Sequence, residues 1–196
     1  MQFIENRAGS ISGYYKYNDK SGNILNDDYS WNYIAINGSY YLIDILFGMT
    51  QKREELCFGT DPEIFIYFHF PKESKWQLLS EPITLERFNS KAYLFEDFYY
   101  FGFKTISPDS YEINGNEKII LTYDQLYVTD FVFEISILDK YYNVIEEKEY
   151  ECSNGKVEID CNLDDEIYVG IEIIIKTDDE HYSIAAYKIN HSKKNL

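Results

Sequence analysis

Residues 29–48 read YSWNYIAINGSYYLIDILFG, and the whole N-terminal half is organised around them. Residues 31–36 and 40–45 are two runs rich in aromatic and β-branched side chains, joined at Asn37-Gly38. That dipeptide supplies the positive φ that a two-residue hairpin turn requires at both centres, so the stretch predicts a tight antiparallel hairpin. Asp44 lies within the second run, on an otherwise apolar strand. A carboxylate buried there needs hydrogen-bond donors, and Tyr29 on the adjacent strand has a hydroxyl to offer.

The chain around the hairpin has the composition of a β-rich protein. It holds 20 Tyr and 13 Phe in 196 residues, against 10 Gly and 4 Pro. Tyr, Phe and Ile favour strands. Acidic residues number 34 against 18 basic, a formal charge of −16. Nucleic-acid binding through a phosphate-neutralising patch is not expected on that balance, nor is binding to an anionic membrane surface. A basic protein partner or bound cations would fit it, as would solubility alone. No apolar run approaches the ~18 residues that span a bilayer, and Met1-Gln2-Phe3-Ile4-Glu5-Asn6-Arg7 lacks the layout of a signal peptide. Cys57, Cys152 and Cys161 give neither a disulfide framework nor a metal-ligand spacing, so a reducing cytoplasmic setting with no metal and no cofactor is expected.

Further motifs flank the hairpin in order: Ile11-Ser12-Gly13-Tyr14 before it, then Thr60-Asp61-Pro62-Glu63-Ile64-Phe65-Ile66, His69-Phe70-Pro71, Trp76-Gln77-Leu78-Leu79, and the segment from Pro82 to Phe88. Thr60 and Glu63 have capping-box spacing and Pro62 suits a first helical turn, so short helices are expected at 61–67 and 84–89. Over residues 11–88 this series resembles the transglutaminase-like superfamily, in the branch of the kyphoscoliosis peptidase, hillarin and a yeast cytokinesis protein. That branch carries His-Ala-Trp-Asn on one strand and a catalytic Asp on the next. Here the matching residues are Tyr29-Ser30-Trp31-Asn32, then Asp44 and Gly48.

The resemblance implies a partial transglutaminase-like, papain-like β-core whose catalytic residues are degenerate. Asp44 stands at the family's Asp, but Tyr29 stands at its His, and no Cys precedes it. Tyrosine titrates near pH ~10 and cannot act as the base that makes a thiolate at neutral pH. The expectation is no catalytic residue, with Tyr29 and Asp44 as the remnant of a site. His69 matches a family position that looks structural, Trp31 and Trp76 read as core anchors, and Cys57 reads as packing.

After residue 90 the pattern changes to regular alternation. Phe133, Ile135 and Ile137 share one face of a strand, with Glu134 and Ser136 on the other, and Val157, Ile159 and Cys161 alternate with acidic neighbours. Strands are expected also at 142–150, 167–175 and 182–189. Their spacing argues a β-sandwich of roughly 100 residues, and the resemblance implies an immunoglobulin-like one. The expected organisation is a degenerate core over 1–90, an immunoglobulin-like sandwich over 91–190, and a tail over 191–196. The 18–28 turn reads as a plain hairpin connection. Its oxygens are a weak calcium candidate without a terminal bidentate Glu.

The functional expectation is a non-catalytic scaffold protein, placed by the resemblance in large, cytoskeletal assemblies. In the parent fold a nucleophile-bearing helix covers the core sheet. Without it an aromatic face bearing Tyr14, Tyr29, Trp31 and Tyr33 would need cover from residues 1–10, a partner protein or a second copy. Two alternatives stand beside it. One is the C-terminal part of a longer or two-chain cysteine enzyme whose Cys lies elsewhere. The other is a ligand- or carbohydrate-binding β-sandwich protein, which clustered exposed aromatics would favour.

Overall fold

The computed structural model describes residues 7–18, 24–50, 58–124, 131–163 and 167–190. The turn at 19–23, Cys57 and the tail 191–196 lie outside them. The protein is β-rich, with only short helices among the described residues, and it divides into two compact units at residues 89 and 90.

In the first unit β1 (Arg7–Asn18), β2 (Ile24–Ile36), β3 (Ser39–Ile43) and β4 (His69–Pro71) form one antiparallel sheet in the order β3-β2-β1-β4. The hairpin turns where the sequence places it, with φ of 53° at Asn37 and 84° at Gly38. α1 (Ile45–Thr50) follows β3, and α2 (Pro62–Phe65), a 3-10 turn (Ser74–Gln77) and α3 (Leu85–Ser90) complete the unit. α2 is capped by Asp61 rather than Thr60: the Asp61 carboxylate accepts from Glu63 N at 2.9 Å. Pro62 fixes the first helical position, and the cap must directly precede it.

Register decides which face of the sheet is covered. Ile11 pairs with Trp31 and Tyr33 with Leu42, so these side chains share a face, and Phe65 of α2 closes over them. Ile11, Trp31 and Leu42 are each 2% exposed. The face expected to lie bare is therefore covered from within the unit, by residues of α2 and of the segment through Trp76 and Leu78. The opposite face carries Ser10, Ser12, Ser30 and Asn32, all exposed and polar. At its far end Lys16 is buried, its Nζ 3.1 Å from the Phe88 carbonyl and over the Phe88 ring.

The second unit runs β5 (Tyr93–Leu94), α4 (Asp97–Tyr100), β6 (Phe103–Ser107), β7 (Glu112–Asn114), β8 (Lys118–Tyr123), β9 (Val132–Leu138), β10 (Val144–Tyr150), β11 (Lys156–Asp160), β12 (Gly170–Lys176) and β13 (His181–Asn190). One sheet has the order β11-β8-β6, the other β10-β9-β12-β13-β5, with β7 parallel to the end of β13. The chain crosses between the two sheets after β5, β6, β7, β8, β10 and β11. Ile119, Leu121, Val157 and Ile159 from the first sheet and Ile135, Ile137, Ile171, Ile173 and Ile175 from the second are fully buried. Phe103 and Phe133 meet across the sheets at 6.1 Å.

Three expectations are corrected here. β10 starts at Val144, because Asp139 accepts from the amides of Tyr141 and Asn143 and closes a turn in which Tyr142 has φ 61°. β12 starts at Gly170. Glu134 and Ser136 alternate off the core as read, yet both are buried, because β9 lies between β10 and β12 and neighbouring side chains close over them. Cys152 and Cys161 are free thiols.

Candidate functional site

The polar group that the first unit buries most deeply is centred on Asp44. It follows β3 and precedes α1, and its Oδ1 accepts from Phe47 N at 2.9 Å, as an N-cap does. Tyr29 Oη donates to the same Oδ1 at 3.2 Å. This is the bond that the adjacent positions of the two strands suggested. His69 Nε2 lies 3.0 Å from the other carboxylate oxygen, and both side chains are almost completely buried. β4 delivers this histidine by pairing His69 with Tyr15 of β1.

Aromatic rings surround the imidazole. Phe65 stacks on it at 4.2 Å, Phe47 and Trp31 meet it edge-on at 4.9 and 5.2 Å, and Tyr15 and Tyr29 tilt against it at 5.6 Å. Desolvation by these rings lowers the His69 pKa, although Asp44 pulls it the other way. The Tyr29 hydroxyl is pushed up to about 12, by desolvation first and then by the Asp44 carboxylate.

The chemistry available to this group is narrow. Among the described residues, the imidazole that reaches Asp44 is that of His69, which is fully buried and cannot meet a substrate. The hydroxyl in the more open position is harder to deprotonate than a free tyrosine. The two described thiols lie in the other unit, and burial pushes Cys152 and Cys161 each to about 11, the reverse of an activated nucleophile. Among the described residues no group of three His, Cys, Asp or Glu is placed to hold a metal ion.

The four tyrosine and tryptophan positions offered as an interface do not form one surface. Trp31 is a core residue, and Tyr29 and Tyr33 pack half-buried against the same cluster. Tyr14 points to the other face, under the Lys72 ammonium at 5.1 Å. At the edge of this cluster, and without a local signal in the sequence, Trp76 stacks on Tyr33 at 4.2 Å and meets Tyr40 edge-on at 5.4 Å. The sequence marks His69 as structural but does not show its carboxylate partner. The one signal for that partnership is its place in His69-Phe70-Pro71, and the β1–β4 pairing that brings it to Asp44 has no local trace.

Fold and site together define a β-rich, two-unit protein with a buried aspartate–histidine–tyrosine cluster. Its sequence is similar to kyphoscoliosis peptidase of Mus musculus, 30% identical over 120 residues, and to that of Homo sapiens at 31%. Each alignment covers 56% of this chain and 18% of that protein. Hillarin of Drosophila melanogaster is 30% identical over 84 residues, covering 37% of this chain and 10% of hillarin. The chain thus spans less than a fifth of the length of these relatives. No family model matches it.

Proposed function

We propose that the protein is a non-catalytic interaction scaffold, with a degenerate transglutaminase-like core in its first unit and an immunoglobulin-like sandwich in its second. The observation that carries this is the pair of groups on Asp44: Tyr29 where the resembling family has its histidine, and a histidine too deeply buried to serve in its place. The histidine that Asp44 holds is out of a substrate's reach. It holds the end of β3, the start of α1 and β4 together. The similarity to kyphoscoliosis peptidase and hillarin supports the kinship, and a cytoplasmic, cytoskeletal setting is part of the proposal on that resemblance alone. Among the described residues no helix is long and apolar enough to cross a membrane.

Incubation with an amine donor and a glutamine-bearing acceptor protein, or with a denatured protein substrate, is expected to give no cross-linked or cleaved product from pH 6 to 9. Product formation abolished by alkylation of Cys57, Cys152 or Cys161 would overturn the proposal. The alternative, part of a longer enzyme with its Cys elsewhere, makes a different prediction. Under it Tyr29→His would raise activity once the missing segment is supplied. Under the scaffold reading the variant only disturbs the core.

A further inference from the structure

We infer that the outer edge of β10 is a docking strand for an extended, basic segment of a partner protein. β10 is the last strand of its sheet, bonded to β9 alone, and among the described residues no strand pairs with its other side. Such an edge presents a row of backbone N–H and C=O groups able to take one more strand. A bulge between Val144 and Glu146 disrupts one end and leaves 146–150 in regular register.

The side chains specify the charge of the occupant. Glu147 and Glu149 are exposed on the face of the sheet away from the core. Glu149 stands directly opposite Glu134, and Glu147 opposite Ser136, which in turn faces Glu172 on β12. Like charges directly opposite one another are unfavourable across a strand pair. The cation among them is Lys176, whose Nζ is 2.5 Å from Glu134 Oε2 and whose pKa is raised first by that bond and further by Glu147 and Glu149. Glu147 and Glu149 therefore add negative charge near an ammonium that Glu134 already holds.

Glu134 supplies a second, independent observation. It is 3% exposed, and its Oε1 is buried with no donor. A buried carboxylate oxygen without a donor is costly, and here it lies one strand in from the open edge, about 5 Å from β10. A guanidinium reaching from an added strand across Glu149 satisfies both groups. A second copy of this chain does not: pairing two β10 edges would set Glu147 and Glu149 rows side by side in a chain of charge −16. The occupant is therefore a partner segment with Arg or Lys at alternate positions.

The test uses the whole protein and a blocked heptapeptide alternating Arg and Val, with a Glu-for-Arg peptide and a peptide N-methylated at alternate residues as controls. Fluorescence anisotropy is expected to show binding by the Arg peptide, none by the Glu peptide, and at least tenfold weaker binding by the N-methylated one. Amide hydrogen exchange should slow in 146–150 on binding. Glu147→Lys with Glu149→Lys should weaken binding at least tenfold without lowering the melting temperature, since both side chains are exposed. Equal binding of the N-methylated peptide would reduce the effect to diffuse charge attraction and overturn strand addition. So would binding that leaves exchange in 146–150 unchanged, or concentration-dependent self-association that the double variant abolishes. This edge lies in the second unit, so cysteine-enzyme activity, which would refute the scaffold proposal, leaves this result unaffected.

Discussion

Asp44→Ala is expected to destabilise the first unit by about 3–5 kcal/mol, the sum of a lost helix cap and of buried polar groups left without their acceptor. The substitution removes the acceptor of Tyr29 Oη and of Phe47 N, and it leaves His69 Nε2 facing a space lined by aromatic rings. Loss of the α1 cap alone accounts for about 1 kcal/mol, and each stranded buried polar group adds roughly 1–3 kcal/mol. Asp44→Asn keeps one acceptor oxygen and is expected to cost on the order of 1–2 kcal/mol, and Tyr29→Phe about 1 kcal/mol. Both tryptophans, Trp31 and Trp76, lie in the first unit. Urea titration followed by tryptophan fluorescence therefore reports on that unit without mixing in the sandwich. An Asp44→Ala protein that melts with the wild type would show that the cluster holds nothing together.

The same cluster sets a pH dependence whose sign follows from burial. His69 is held neutral in the folded state, with its pKa below that of the unfolded chain. The unfolded state then binds the extra proton as pH falls below ~6.5, so stability present at neutral pH declines from there toward the folded value. Tyr29 acts at the other end: its folded pKa is about 12, above the ordinary 10, so stability declines as pH rises beyond 10. His69→Gln should flatten the acid limb of the fluorescence-detected midpoint and leave the alkaline limb in place.

What the sequence made legible was local. Asn37-Gly38 announced its own turn, because the positive φ is a property of those two residues. Pro62 announced the start of α2 in the same way, although the cap itself went to Asp61. The alternation of 131–138 and 157–161 was visible because strand period is written into neighbouring residues. Residues 93–123 were not legible: β5 and β7 are two and three residues long, too short for a period, and their places are set by pairing with β13, 76 to 93 residues away. The same reason hid the centre of the candidate site. Tyr29 and Asp44 belong to one hairpin and could be paired on paper. His69 joins them through a strand pairing with Tyr15, across 54 residues of chain. The cover of the aromatic face failed on paper too, since the sequence shows that 60–79 contains Phe65 and Trp76 but not that they fold back over Trp31.

That cover leads to the other large expected effect, at Gly13. It sits in the middle of β1, between Tyr29 of β2 and Pro71 of β4. A Cβ built there would lie 2.3 Å from the Phe70 carbonyl oxygen and 2.3 Å from Cη2 of Trp31. The carbonyl belongs to β4 and cannot retreat without parting β4 from β1. The indole is packed under Phe65 at 5.6 Å and against His69, so it cannot swing aside without opening the core. Gly13→Ala is therefore expected to cost on the order of 3 kcal/mol, the upper end for overpacking a core, with a red-shifted tryptophan emission as Trp31 gains water. Gly9→Ala on the same strand and face is the control. Its Cβ would meet only the outer end of the Tyr33 ring, at 2.7 Å, a half-buried side chain that can turn. It should cost about 1 kcal/mol or less. If the two variants prove equally stable, Trp31 does not lie across β1, and the self-covered sheet is wrong. The face of Tyr29 and Asp44 would then be open to a partner after all.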